Sequence, residues 1–259
     1  MAECIHGFDE GECDICFPRK AAEPAVTVAA TATKTAPRVA PVRQRRLTER
    51  PAGAPPKLPP FGSRRLYHVT HARNLEAILL DGAIRAHDSG ADPDVDIASP
   101  VIRRLRAETS VGDGRPVGGF VPFALSTEAG WWRELREGAE GARWSAAARL
   151  TSPTEYVALV VAAERIGPDV VIAEGDSSAP ATHFLIGEPP RSLAIAARQD
   201  PELVVTEVLV ADRVPLEAVV LLGVANEPMR TRVRRMFDAV GIAPPKIVVH
   251  PPWFNPAEA

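Results

Sequence analysis

The stretch Leu66-Tyr67-His68-Val69-Thr70-His71, continued by Asn74-Leu75-Glu76-Ala77-Ile78-Leu79-Leu80-Asp81-Gly82, reads as a strand, a turn and a short helix. Leu75, Ile78 and Leu79 recur at helical spacing, and Gly82 stands where such a helix would stop. His68 falls at the expected strand end, from which a side chain can reach into a cleft; the competing reading is a histidine bonded to the backbone. His71 reads as structural. A second apolar strand is expected over Phe120-Val121-Pro122-Phe123-Ala124-Leu125-Ser126, where the proline suits an edge or a bulge. A third, Val204-Val205-Thr206-Glu207-Val208-Leu209-Val210, carries a lone carboxylate. Alternation puts Glu207 on one face with Val205 and Leu209. An unpaired buried carboxylate costs several kcal/mol or becomes neutral, so a cleft opening onto this strand is the simplest way to keep it ionised. The alternative is an edge strand whose glutamate faces water.

Further strand signals lie at Tyr156 to Ala163, Val170 to Ala173, Val219 to Val224 and Lys246 to Val249. Between about Pro228 and Val240 a helix is expected, with Val233, Met236, Phe237 and Val240 on one face. This alternation predicts an α+β fold around a split central sheet with flanking helices. The chain has 259 residues, of which 46% are hydrophobic and 24% charged, enough for one core of ordinary size. No apolar run reaches membrane-spanning length, and Met1 leads into Ala2-Glu3-Cys4 without an apolar leader, so a cytoplasmic location is expected.

Charge divides the chain into three segments. Residues 1 to 18 carry −5, whereas Arg19 to Arg65 hold 11 basic against 2 acidic residues, and the portion from 66 onward carries −7. The middle segment, 19–65, is rich in proline, alanine and threonine and reads as a disordered tether. Its cluster of Arg43, Arg45, Arg46 and Arg50 suits a phosphate backbone, or else the segment is a solubilising spacer. All three cysteines lie in residues 1–18, as Cys4-x-His6 and Cys13-x-x-Cys16. Three thiolates and one imidazole can close a tetrahedral zinc site, which with every ligand position filled would be structural rather than catalytic. A reactive or disulfide-bonded cluster is the competing reading.

In order, the Tyr-His-x-Thr-His…Asn-Leu…Ile-Leu…Gly opening, the Val121-Pro122-Phe123 strand and the late Glu207 strand resemble the DarT-type DNA ADP-ribosyltransferases. The resemblance runs over roughly residues 66 to 254 and includes the ending Pro252-Trp253-Phe254; where the family has an aromatic pair after Val-Pro-Phe, this chain has Ala124-Leu125. It implies a transferase domain over 66–259 that consumes NAD and modifies a nucleobase, with single-stranded DNA as partner. It further implies a toxin or phage-defence role and a neutralising antitoxin or ADP-ribosylglycohydrolase.

The same resemblance implies residue roles. Breaking the bond between nicotinamide and ribose gives the sugar oxocarbenium character, as in glycoside hydrolysis, and a carboxylate suits that charge. Glu207 would hydrogen-bond the ribose, favour the developing charge and take a proton from the attacking base nitrogen. His68 and Thr70 would hold NAD, and Asn74 would add a polar contact at a helix start. The family's helix arginine corresponds best to Arg106 in Ser99–Glu108, with Arg103 on the same face and Arg104 as the alternative register; a solvated basic face is the competing reading. Asp176 and His183, in and after the polar loop 174–180, are candidates for the acceptor base, and Trp131, Trp132 and Trp144 for base stacking or for core. Two alternatives remain at this level: a transferase acting on RNA, protein or a small molecule, and an inactive module that binds nucleic acid.

Overall fold

Tyr156-Val157-Ala158-Leu159-Val160-Val161-Ala162 is apolar throughout, a pattern that only a strand covered on both faces can use. It lies inside the sheet that organises the protein. The computed structural model describes residues 64–167, 169–187 and 207–255. In chain order the main elements are β1 (Arg65–His71), α1 (Asn74–Asp81), β2 (Ala83–Arg85), α2 (Pro100–Glu108), β3 (Phe120–Ala124), α3 (Gly130–Arg136), α4 (Ala146–Leu150), β4 (Tyr156–Ala162), β5 (Val170–Ala173), β6 (Phe184–Ile186), β7 (Glu207–Ala211), β8 (Arg213–Pro215), β9 (Val219–Val224), α5 (Glu227–Val240) and β10 (Lys246–Val249). Eight strands form one mixed sheet in the order β10-β9-β4-β1-β3-β7-β5-β6, and β2 pairs with β8 apart from it. Only β10 and β9 run parallel; the other neighbours are antiparallel.

Side-chain alternation along β4 explains the layers. Val157, Leu159 and Val161 pack with Leu75 and Leu79 of α1 and with Met229, Val233 and Phe237 of α5. Tyr156 and Ala158 join a second cluster with Trp132 and Leu135 of α3, Ala148 of α4 and Phe254. Each fully buried leucine, valine or phenylalanine contributes about 1.5–3 kcal/mol of burial free energy. Helix α5 has clear local causes at both ends. The Asn226 side chain accepts from Met229 N–H at 2.9 Å, and Gly241 closes the helix at φ 69°, a left-handed conformation that glycine adopts without strain. It starts one residue before the expected Pro228 and ends at the expected Val240. Near the C-terminus the Trp253 ring lies against Gly223, where a Cβ would come within 2.5 Å of a ring carbon.

The sheet opens between β1 and β3, which pair at a single position, Tyr67 with Ala124, whereas β1 pairs with β4 along its whole length. Two expectations are corrected here. Pro122 belongs to an interior strand, between β1 and β7, rather than to an edge. It is tolerated because its carbonyl, and hence its missing N–H, faces the opening, where His68 Nδ1 meets the carbonyl at 3.0 Å. His68 itself sits mid-strand, opposite Leu159, not at a strand end. The edge-strand alternative for Glu207 also fails, because β7 is flanked by β3 and β5.

Among the described residues no helix is long and apolar enough to cross a membrane, and no group of three or more His, Cys, Asp or Glu could hold a metal ion. Cys4, His6, Cys13 and Cys16, the tether, and Val204 to Thr206 lie outside the described residues.

Candidate active site

A cleft of about 480 Å³ opens at the gap between β1 and β3. Consecutive residues His68, Val69 and Thr70 line it, as happens when a strand presents its edge rather than one face. The same cleft takes in Asn74, Arg106 and Glu207, so side chains from three separate stretches of the sequence meet in one place.

Glu207 is the first residue of β7 and only 7% exposed. Its neighbours in register are alanines, Ala124 on β3 and Ala173 on β5, which leave room on that face for a polar cluster. Arg106 enters from α2, a helix begun by the Ser99 side chain, which accepts from Ile102 N–H, and by Pro100 in its first turn. Arg106 Nη1 stands 3.5 Å from Glu207 Oε2. At that length the contact is an ion pair with little hydrogen-bond character. The better-formed link passes through Ser177: Arg106 Nη1 donates to Ser177 Oγ at 2.7 Å, and the Ser177 hydroxyl donates to Glu207 Oε2.

Arg106 is the α2 arginine that reaches Glu207, whereas Arg104 is exposed and Arg103 pairs with Asp96. The Asp96 pair and the amide of Asn74 hold one wall of the cleft. Asn74 Nδ2 donates to Val95 O at 2.8 Å and to Thr70 Oγ1 at 3.0 Å, and its Oδ1 accepts from Val95 N–H at 2.9 Å. The Asn74 amide is therefore engaged within the protein, and it shapes the wall on which a ligand would rest. His68 donates from Nδ1 to Pro122 O, because a carbonyl can only accept. Burial pushes its pKa down, with the Pro122 bond opposing, which favours a neutral ring and leaves Nε2 as an acceptor. His71 accepts from Arg73 N–H at 3.1 Å and packs edge-on to Tyr156, a structural position.

The loop after β5 lies behind Glu207, which Ser177 contacts. Asp176 Oδ1 accepts from the Ser178 N–H at 2.9 Å and hydroxyl at 2.6 Å, and Oδ2 accepts from Arg143 at 2.6 Å. Burial raises its pKa, but the Ser178 bonds and the charges of Arg143 and Arg106 outweigh this and hold the carboxyl below its usual range. Asp176 is thus occupied inside the loop, and His183 is exposed with its carbonyl accepting from Glu174 N–H. Of the three candidate stacking tryptophans, Trp132 and Trp144 are buried, while Trp131 is half-buried at the cleft. Sequence reasoning missed Ser177; the available signal was the paired Ser177-Ser178 within a polar loop.

A family model described as DarT, ssDNA thymidine ADP-ribosyltransferase, matches residues 67–190 and 197–255. The chain belongs to the DarT family. DarT membership makes the protein an NAD-dependent ADP-ribosyltransferase acting on single-stranded DNA. The structure is similar to that of Thermus sp. 2.9 DarT in complex with ADP-ribosylated ssDNA, at a TM-score of 0.63 and 20% identity over 74% of this chain and 96% of that one. With Thermus sp. 2.9 DarT in complex with NAD+ the TM-score is 0.59 and the identity 18%, covering 74% and 98% of the two chains. Thermosipho africanus DarTG in complex with ADP-ribose matches at a TM-score of 0.56 and 17% identity, over 74% of this chain and 51% of that one. At these identities the likeness to the DarT structures is one of fold. A comparison with curated protein sequences finds no match.

Proposed function

We propose that this protein transfers ADP-ribose from NAD to the thymidine base of single-stranded DNA, with Glu207 and Arg106 as catalytic residues. The observation that carries the reading is the hydrogen-bonded Arg106–Ser177–Glu207 cluster, whose Arg106 and Glu207 line a cleft shared with His68. Glu207 holds a ribose hydroxyl, and its negative charge favours the cationic character that the sugar gains as the bond to nicotinamide breaks. Nicotinamide leaves with the bonding pair, the base nitrogen bonds to the same sugar carbon, and Glu207 takes the nitrogen's proton. His68 Nε2 and the Thr70 region hold NAD, and the Asn74 clamp keeps the wall in place. The half-buried Trp131 offers a ring for an unpaired base to stack on.

The test is label transfer from NAD to single-stranded DNA, double-stranded DNA, RNA and a protein mixture, with Glu207→Ala as control. Label on single-stranded DNA that vanishes in the variant supports the reading. Label confined to RNA or protein changes the acceptor, and no NAD loss anywhere overturns the enzyme.

Arg106→Ala is expected to lower kcat about 100-fold, on the scale of removing one preorganised charge-stabilising donor, while Arg104→Ala stays near wild type. Parallel initial-rate measurements on both variants check this, and a larger loss in Arg104→Ala would move the catalytic register.

The N-terminal residues add substrate capture in this proposal. Cys4, His6, Cys13 and Cys16 hold one structural zinc ion, and the tether contacts the DNA backbone. Removing residues 1–63, or changing Cys13→Ser, should weaken single-stranded DNA binding while NAD cleavage without DNA is kept. Binding titrations at several salt concentrations test it: the deletion should flatten the salt dependence, because fewer counterions are released. An unchanged salt slope would make the tether a spacer. A cytoplasmic toxin or phage-defence role, restrained by an antitoxin or ADP-ribosylglycohydrolase, completes the proposal.

A further inference from the structure

We propose that Ser177 is a positioning residue for ADP-ribosyl transfer: its hydroxyl relays the Arg106 charge to Glu207 Oε2 and leaves the other carboxylate oxygen for the substrate. The inference rests on the transferase reading of the cleft. Ser177 is 0% exposed and comes from the loop after β5, whereas Arg106 and Glu207 come from α2 and β7. The direction of the relay is decided by chemistry. A guanidinium has no acceptor, so Arg106 must donate to Ser177 Oγ, and the single hydroxyl proton is then left for the carboxylate. Donors in series polarise one another, so the second bond is stronger than a serine hydroxyl alone would make. Both fixed contacts fall on Oε2, and among the described residues Oε1 has no hydrogen-bond partner. The glutamate is thereby held in one rotamer with one oxygen available in the cleft.

The loop is built to keep that hydroxyl still. Asp176 binds the N–H and hydroxyl of Ser178 on one side, and its carbonyl accepts from Thr182 Oγ1 at 2.5 Å. Arg143 anchors Asp176 from the segment that leads into α4. These bonds fix the backbone on either side of Ser177 without using its side chain. The Ser177 hydroxyl accordingly has its two partners in the catalytic pair, and the loop's own hydrogen bonds do not require it. This separation makes a catalytic role testable apart from a structural one.

The experiment uses the full chain as Ser177→Ala and Ser177→Thr, measuring kcat and KM for NAD and the thermal midpoint. Ser177→Ala should lose about 10- to 100-fold in kcat, the range for a hydrogen bond to a charged group, with KM for NAD changed less than about twofold. Ser177→Thr keeps the hydroxyl and should restore most of the rate. If Ser177→Ala proves unfolded, the threonine variant together with Ser177→Cys carries the test: the weaker thiol donor should give a rate below that of threonine. Wild-type kcat in Ser177→Ala would overturn the role, as would a failure of Ser177→Thr to recover rate or a rate loss that only follows a fall in thermal midpoint. Absence of transfer by the wild-type protein would instead remove the transferase reading itself, and this inference with it.

Discussion

Glu207→Gln is expected to reduce transfer by about 10³-fold while the protein remains folded and still binds NAD. The amide occupies nearly the same volume and can accept from Ser177, so the cluster keeps its shape; what disappears is the negative charge and the proton acceptor. Preorganised groups of this kind are worth about 10²–10³-fold when one donor is removed, and a residue that also acts as base loses more. Glutamine is the informative substitution. Alanine would additionally leave the Arg106 guanidinium, whose side chain is 17% exposed, without its carboxylate partner. Initial rates with NAD and single-stranded DNA, set beside an NAD binding titration, check the expectation. Activity within tenfold of wild type would mean that Glu207 is not the catalytic carboxylate.

The largest structural effect is expected at Trp132. Its ring is 1% exposed and packs edge-on to Tyr156 at 5.5 Å and Phe254 at 5.8 Å, and Nε1 donates to Trp253 O at 2.6 Å. Trp132→Ala removes the centre of the cluster between α3 and the C-terminal segment, at about 3–5 kcal/mol. Against a typical stability of about 5–15 kcal/mol, this lowers the thermal midpoint by roughly 6–20 °C for a domain of this size. Trp132→Phe keeps most of the ring but leaves the Trp253 carbonyl unpaired, for a smaller loss of about 1–3 kcal/mol. Thermal melts of both variants beside Trp131→Ala make the comparison. The half-buried Trp131 should cost much less, and equal losses at the two positions would contradict the packing described here.

These two residues show different degrees of legibility. A charge inside an apolar run is visible without a structure, because alternation along a strand assigns the charge to a face before the partners of that face are known. A tryptophan carries no such mark: Trp131 and Trp132 are adjacent, equally apolar and on the same helix, yet one is buried and the other reaches the cleft. Which side of α3 meets the sheet depends on Phe254, more than a hundred residues later. The three-residue strands β2, β6 and β8 were similarly hidden, since three residues hold too little periodicity to separate a strand from a loop.

Local pattern alone determined the α+β class, the extents of β5, β9, β10 and most of α5, and the candidacy of Glu207, because each depends on spacing within one element or on a residue type out of place in it; His68 and Arg106 became candidates only through the resemblance to the DarT family. Tertiary structure decided the rest. Pro122 became an interior residue because the sheet opens beside it, Asn74 became a clamp because Val95 lies within reach of its amide, and Arg106 meets Glu207 because of which side of α2 faces β7. Ser177 gained its place between the charges of Arg106 and Glu207 only when three elements separated by up to 101 residues converged. A hydroxyl has no periodicity or charge to announce such a partner; its role exists only in the distance to atoms that the fold brings to it.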